Sequence, residues 1–204
     1  MDMINQTIPE SGTTQSYEIL TELGQCHVSI GNLDRAKECF EKATQLDADA
    51  AEPYIGLGVI AMQNQQFSDA ELAFKVARRL DPSSAKAYCG LAMLYQQDGD
   101  YAMSFEHYLK SLEIDSDNLT ALLGLFQASC QMGSFSKVIY YLETYLKAHT
   151  DDVSVMFSLG SLYARNGQLG KSAEMLRKVI AYDPQNKDAV DVLEEVENQL
   201  KNLN

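Results

Sequence analysis

Positive charge is scarce in this chain. Sixteen Lys and Arg stand against 29 Asp and Glu in 204 residues, a net charge of −13. Nucleic-acid backbones and anionic membranes recruit basic patches, so neither is an expected partner, and the acidic surface favours a monomer. Long apolar runs are missing as well: no stretch approaches the roughly 20 residues that span a bilayer. Residues 1–16 hold no basic residue and no apolar run of the length a secretory signal needs. The expected setting is cytoplasmic. Cysteine is limited to Cys26, Cys39, Cys89 and Cys130, with neither CxxC spacing nor a dense framework. That usage fits a reduced compartment and thiols serving as small apolar fillers.

Chemical signatures are equally sparse. The chain has no Gly-rich phosphate loop, HExxH, nucleophile elbow or zinc-ligand spacing. Glu194-Glu195 and Asp151-Asp152 are sequence neighbours, whereas a general acid/base pair needs carboxylates that converge in a cleft. His27 reads as a packed or partly exposed core histidine, and His107 and His149 as surface residues. No catalysis, metal or cofactor is expected.

What the chain has in abundance is period. From residue 17 a 34-residue frame repeats without insertion: 17–50, 51–84, 85–118, 119–152 and 153–186. Position 7 is Leu23, Leu57, Leu91, Leu125 and Leu159. Small residues at positions 8, 20 and 27, such as Gly58, Ala70 and Ala77, let helix backbones approach. Large ones at 7 and 24, such as Leu57 and Phe74, fill the gaps. Gly31, Gly99, Gly133 and Gly167 sit where a first helix, A, would end. Asn32, Asp100 and Ser134 then read as N-caps of a second helix, B. Helix B stops before Asp47, Asp81-Pro82, Asp115 or Asp183-Pro184.

Tyr54, Leu57-Gly58, Ala70, Phe74, Ala77 and Asp81-Pro82 within residues 51–84 resemble the tetratricopeptide repeat signature. The resemblance covers residues 17–186 and implies an all-α fold, a right-handed α-α superhelix (TPR solenoid). Residues 1–16 are expected to be a mobile polar tail. Residues 187–204 are expected to be a capping helix, with Glu194 and Glu197 at positions that face a B helix in a full repeat. Repeat 4 departs from the size code with Phe126, Val138 and Tyr145 where small residues are usual. Compensated repacking is the expected reading, with splayed helices the alternative.

The resemblance also implies a ligand groove lined by positions 2, 5, 6, 9, 12 and 13 of the A helices. In repeat 2 these give Ile55, Gly56, Val59, Met62 and Gln63; in repeat 3, Cys89, Gly90, Met93 and Gln97. Repeat 4 gives Leu123, Gly124, Gln127 and Cys130, and repeat 5 gives Phe157, Ser161 and Arg165. The lining is apolar and soft. A lysine clamp for a peptide carboxylate is not expected, because Lys86 and Arg165 are two repeats apart. Gly56, Gly90 and Gly124 share position 6. Either they leave room for a ligand helix or strand, or they pack against a neighbouring helix. The expected function is a non-catalytic scaffold or adaptor binding an apolar segment of another protein in the groove of repeats 2 to 5. The alternative is a holding chaperone for a subunit of a secretion or assembly apparatus.

Overall fold

The structure, a computed structural model, describes residues 10–202. Helices follow one another throughout: α1 (Glu10–Ser29), α2 (Leu33–Leu46), α3 (Ala51–Gln63), α4 (Phe67–Leu80), α5 (Ala85–Gln97), α6 (Tyr101–Ile114), α7 (Leu119–Met132), α8 (Ser136–Ala148), α9 (Val153–Arg165), α10 (Leu169–Tyr182) and α11 (Lys187–Asn202). No strand occurs among the described residues. The helices gather into two compact units, α1 to α5 and α6 to α11.

Local chemistry sets each boundary. Ser84, Asn118, Asp152 and Asn186 precede successive A helices, and each side chain accepts the backbone N–H three residues on, at 3.0 to 3.3 Å. At the ends of B helices, Asp47, Asp81, Asp115 and Asp183 accept the N–H two residues on, at 2.9 to 3.1 Å. Between the helices, Gly31, Gly99, Gly133 and Gly167 take left-handed backbone, φ +67° to +80°. Repeat 2 places Gln65 there, at φ +59°. Asn32 and Asp100 cap α2 and α6 as expected. Ser134 does not cap: α8 starts later, with Phe135 at its cap position.

In the first unit, Phe74 is enclosed by Ile55, Ala70, Ala77, Leu91 and Leu94. Phe40 packs with Ala36 and Ile60. In the second, Leu176 and Val179 of α10 pack with Met156 of α9 and with Ala189 and Val196 of α11. Burying one such large side chain contributes about 1.5–3 kcal/mol. The alanines of the size code are fully buried, so the helices meet closely at those points.

In repeat 4 larger side chains stand at these positions. The Cα traces of α7 and α8 come within 8 Å of each other over a far shorter stretch than those of α1–α2, α3–α4 or α9–α10. Val138 and Tyr145 are buried and Phe126 is half-buried.

Several expectations change. Residues 10–16 belong to α1 and not to a tail, while residues 1–9 lie outside the described residues. His107 is buried, with Nδ1 2.9 Å from the Met103 carbonyl oxygen. His149 is half-buried and stacks on the Tyr145 ring, centroids 4.2 Å apart. Cys26 is exposed, so it fills no core. Glu197 turns back onto α10, where Arg177 donates to it at 2.7 Å; Glu194 alone of that pair faces solvent.

Candidate functional site

An α-helix turns about 100° per residue, so positions 2, 5, 6, 9, 12 and 13 span an arc of about 120° on helix A. Positions 2, 9 and 13 lie at its centre. Positions 5 and 12 form one margin and position 6 the other. Burial follows that order. In the first unit Glu52, Gln63, Lys86, Met93 and Gln97 are exposed, and Val59, Met62 and Gln96 are half-buried.

In the first unit position 5 is closed, while position 12 stays half-buried. Ile55 and Cys89, both at position 5, are buried, Ile55 within the Phe74 cluster. Burial pushes the Cys89 thiol up to about 12, which leaves it protonated and inert. Position 6 is closed by aromatics. Phe40 presses on Gly56, Phe74 on Gly90 and Tyr108 on Gly124, so the glycine row faces the preceding B helix and not a ligand. Ile55, Cys89, Gly90 and Gly124 therefore offer no contact surface, and Gly56 is half-buried beneath Phe40.

Lys86 is not a free cation. Its Nζ donates to Glu52 Oε1 at 3.1 Å, linking position 2 of neighbouring A helices. The apolar part of the first unit's A-helix face thus reduces to Met93, 37% exposed, with Val59 and Met62 packed onto the core beneath. Gln63 and Gln97 border it.

In the second unit the A-helix face carries exposed Gln127, Gln131 and Arg165, with Leu123, Cys130, Phe157 and Ser161 half-buried. Ser161 and Arg165 line a hollow of about 440 Å³ between α9 and α11, together with Ala164, Val192, Glu195, Val196 and Gln199. The Ser161 hydroxyl oxygen there has no hydrogen-bond partner. Helix α11, expected as a cap, keeps the A-helix pattern at Val190, Leu193 and Val196.

A second surface escaped the sequence reading. Between α2, α3 and α4 of the first unit, Tyr54, Leu57, Leu72, Ala73 and Val76 line an apolar hollow of about 310 Å³, rimmed by Lys37, Glu41 and Asp69. Leu72 is 65% exposed. Its place on helix B is legible in the sequence, but its exposure is not. Among the described residues, no group of His, Cys, Asp and Glu is placed to hold a metal ion, and no helix is long and apolar enough to cross a membrane.

Comparison with known proteins agrees with this architecture. The sequence matches the family described as the cilia and flagella-associated protein 70 middle TPR-like domain over residues 12–106, and the tetratricopeptide repeat over residues 153–186. A comparison with curated proteins finds no match. Among solved structures, the chain is similar to PilF of Pseudomonas aeruginosa at 17% identity, covering 94% of this chain and 93% of that one, with a TM-score of 0.74. It is also similar to YrrB, described as a TPR protein with an unusual peptide-binding site, at 18% identity, 89% and 97% coverage and a TM-score of 0.67. MamA matches at 19% identity, 86% and 96% coverage and a TM-score of 0.65. At such identities the likeness shows the fold alone. Paired helices, a recurring cap and turn chemistry and two matching family descriptions lead to one conclusion: the chain is a tetratricopeptide repeat protein, its paired helices forming repeating units.

Proposed function

We propose that the chain holds an apolar segment of a client polypeptide on its A-helix faces, as a holding chaperone for a subunit of a secretion or assembly apparatus. The exposure of Met93 between the amides Gln63 and Gln97 carries this reading. Methionine adapts to imprecise partners, and amides can pair with the backbone of an extended segment. In the second unit Leu123 and Phe157 offer similar part-buried contacts beside Gln127.

The surface is shallow. With Ile55 and Cys89 withdrawn into the core, the remaining contacts are already partly buried, so each has less area left to gain. Affinity of roughly micromolar strength or weaker follows once ordering costs are subtracted. Weak, adaptable holding suits a client that must be released. YrrB, a fold neighbour described as having a peptide-binding site, supports a peptide as the ligand class. A permanent adaptor is the second reading, favoured by the same soft lining if the partner supplies additional contacts.

The test is co-purification from native lysate with the unaltered chain, Met93→Glu and Leu123→Glu, with Leu72→Glu in the hollow between α2, α3 and α4 for comparison. The expected result is a recurrent partner that the first two variants lose and the third keeps, and that aggregates when the chain is depleted. A partner that stays soluble and remains with the chain in the finished complex would assign the adaptor role. Recovery unchanged by Met93→Glu and Leu123→Glu would remove the A-helix face.

A further inference from the structure

The hollow between α2, α3 and α4 coincides with a break in the repeat frame. At positions 22 and 26 of the B helix, repeats 1, 3 and 5 carry Glu38 and Lys42, Glu106 and Lys110, and Glu174 and Lys178. That order of charges, four residues apart, suits a helix face in water, and Lys178 donates to Glu174 at 2.9 Å. Repeat 4 places Tyr140 and Thr144 there, and repeat 2 places Leu72 and Val76. In repeat 2 the exchange gives a cavity its wall. Leu72, Ala73 and Val76, together with Tyr54 and Leu57 of α3, line the space of about 310 Å³, and Leu72 is 65% exposed.

Shape and charge both narrow what fits. Asp69, Leu72, Ala73 and Val76 follow at spacings of 3, 1 and 3, so the α4 wall is one helical stripe about 10 Å long. Lys37 and Glu41, one turn apart, form the rim on α2. Helical stripes of this kind accept a further helix whose apolar residues recur at i, i+3 and i+4. Lys37 is engaged on its own helix, with Nζ 3.8 Å from Glu41 Oε1. Asp69, exposed in the first turn of α4, makes no ion pair among the described residues. The rim therefore carries an excess of negative charge, on a chain whose net charge is −13. Such a field attracts cationic segments and repels anionic ones.

We propose that this hollow docks an amphipathic helix of another protein, whose large apolar side chains enter beside Leu72 and whose flanking Lys or Arg meets Asp69. None of the lining residues stands at positions 2, 5, 6, 9, 12 or 13 of an A helix, so the site is distinct from the surface assigned to the client. A few apolar contacts and one exposed ion pair give an affinity of roughly 100 µM.

The probe is a fluorescent helix-forming peptide of about four turns with Leu on one face and Lys on the other, titrated against the full chain by anisotropy. Two control peptides replace every Leu by Ala or every Lys by Glu, and melting temperature confirms that each variant stays folded. The expected result is that the Leu/Lys probe binds and both controls do not. Leu72→Gln, which leaves the net charge unchanged, should weaken binding by at least about fivefold. Asp69→Asn should weaken it by roughly threefold at low salt and have little effect at high salt, while Met93→Gln leaves it unchanged. Binding indifferent to Leu72→Gln, equal binding of either control peptide, loss on Met93→Gln or no binding at all would each overturn the proposal. So would binding that appears only after residues 1–9 are removed, or a dimer of the chain that Leu72→Gln dissolves, since the occupant would then be that segment or a second copy.

Discussion

The Phe40 ring occupies the space where a side chain at residue 56 would begin: a Cβ built on Gly56 would lie 2.3 Å from Phe40 Cζ. The same relation joins Phe74 to Gly90 at 2.5 Å and Tyr108 to Gly124 at 2.1 Å. Where position 24 becomes Leu142, position 6 of the next A helix becomes Ser158. Ring and glycine are one packing unit spread over two repeats.

The first prediction tests that unit. Gly90→Ser should destabilise by about 1–3 kcal/mol, overpacking outweighing the gain in helix propensity. Phe74→Leu alone should cost a similar amount through the cavity it leaves. The double variant copies the Leu142–Ser158 pair and should recover at least about 1 kcal/mol of the summed loss. Urea unfolding of the four proteins checks this, and strictly additive losses would show that the two sites are not matched.

Gln65 offers a simpler case. It holds left-handed backbone at φ +59°, where four other repeats place glycine. A non-glycine residue there costs roughly 1–2 kcal/mol, partly offset by the greater unfolded-state freedom of glycine. Gln65→Gly should therefore stabilise by about 0.5–1 kcal/mol. A lower melting temperature would contradict it.

Ala50 precedes α3 with extended backbone, φ −75° and ψ +122°, and makes no side-chain cap. The equivalent residues Ser84, Asn118, Asp152 and Asn186 all cap. Ala50→Asn should add about 0.5–1.5 kcal/mol in urea unfolding. No gain would mean that the preceding turn holds the backbone away from cap geometry.

Alkaline stability should fall early. The Cys89 thiol is raised by burial from 9.0 to about 12. Below pH 9.0 both folded and unfolded chains keep this proton, and the contribution is fully present. Above that, the unfolded thiol ionises first, so stability declines as pH rises towards 12. Tyr163 is raised by burial and by its hydrogen bond to Glu143, and adds to the loss at still higher pH. Between pH 8 and about pH 10.5 the urea midpoint should drop by an amount worth about 2 kcal/mol at most, and Cys89→Ala should flatten the drop. An equal drop in that variant would place the sensitive group elsewhere.

The candidate site was only partly legible. The six groove positions were all identifiable by number, but Ile55, Cys89, Gly90 and Gly124 proved closed while Met93, Gln97 and Arg165 stayed open. The difference lies at the edges of the arc, where the volume of a neighbouring side chain decides exposure. Phe40, 16 residues before Gly56, covers it from another helix, so nothing within α3 announces the contact. Leu72 was read as part of a B helix, yet its exposure beside Tyr54 and Val76 depends on how α2, α3 and α4 diverge.

By itself the sequence determined the order of helices and their starts and stops, because caps, left-handed corners and Asx turns act over two to four residues and recur in a fixed frame. Only the tertiary structure decided that α7 and α8 come close over only a short stretch, that α1 reaches back to Glu10, and that Ile19, Leu23 and Ile30 are left bare. Those outcomes depend on which surfaces have a neighbour and how much volume lies between them, quantities fixed by residues that meet only after the hairpins pack.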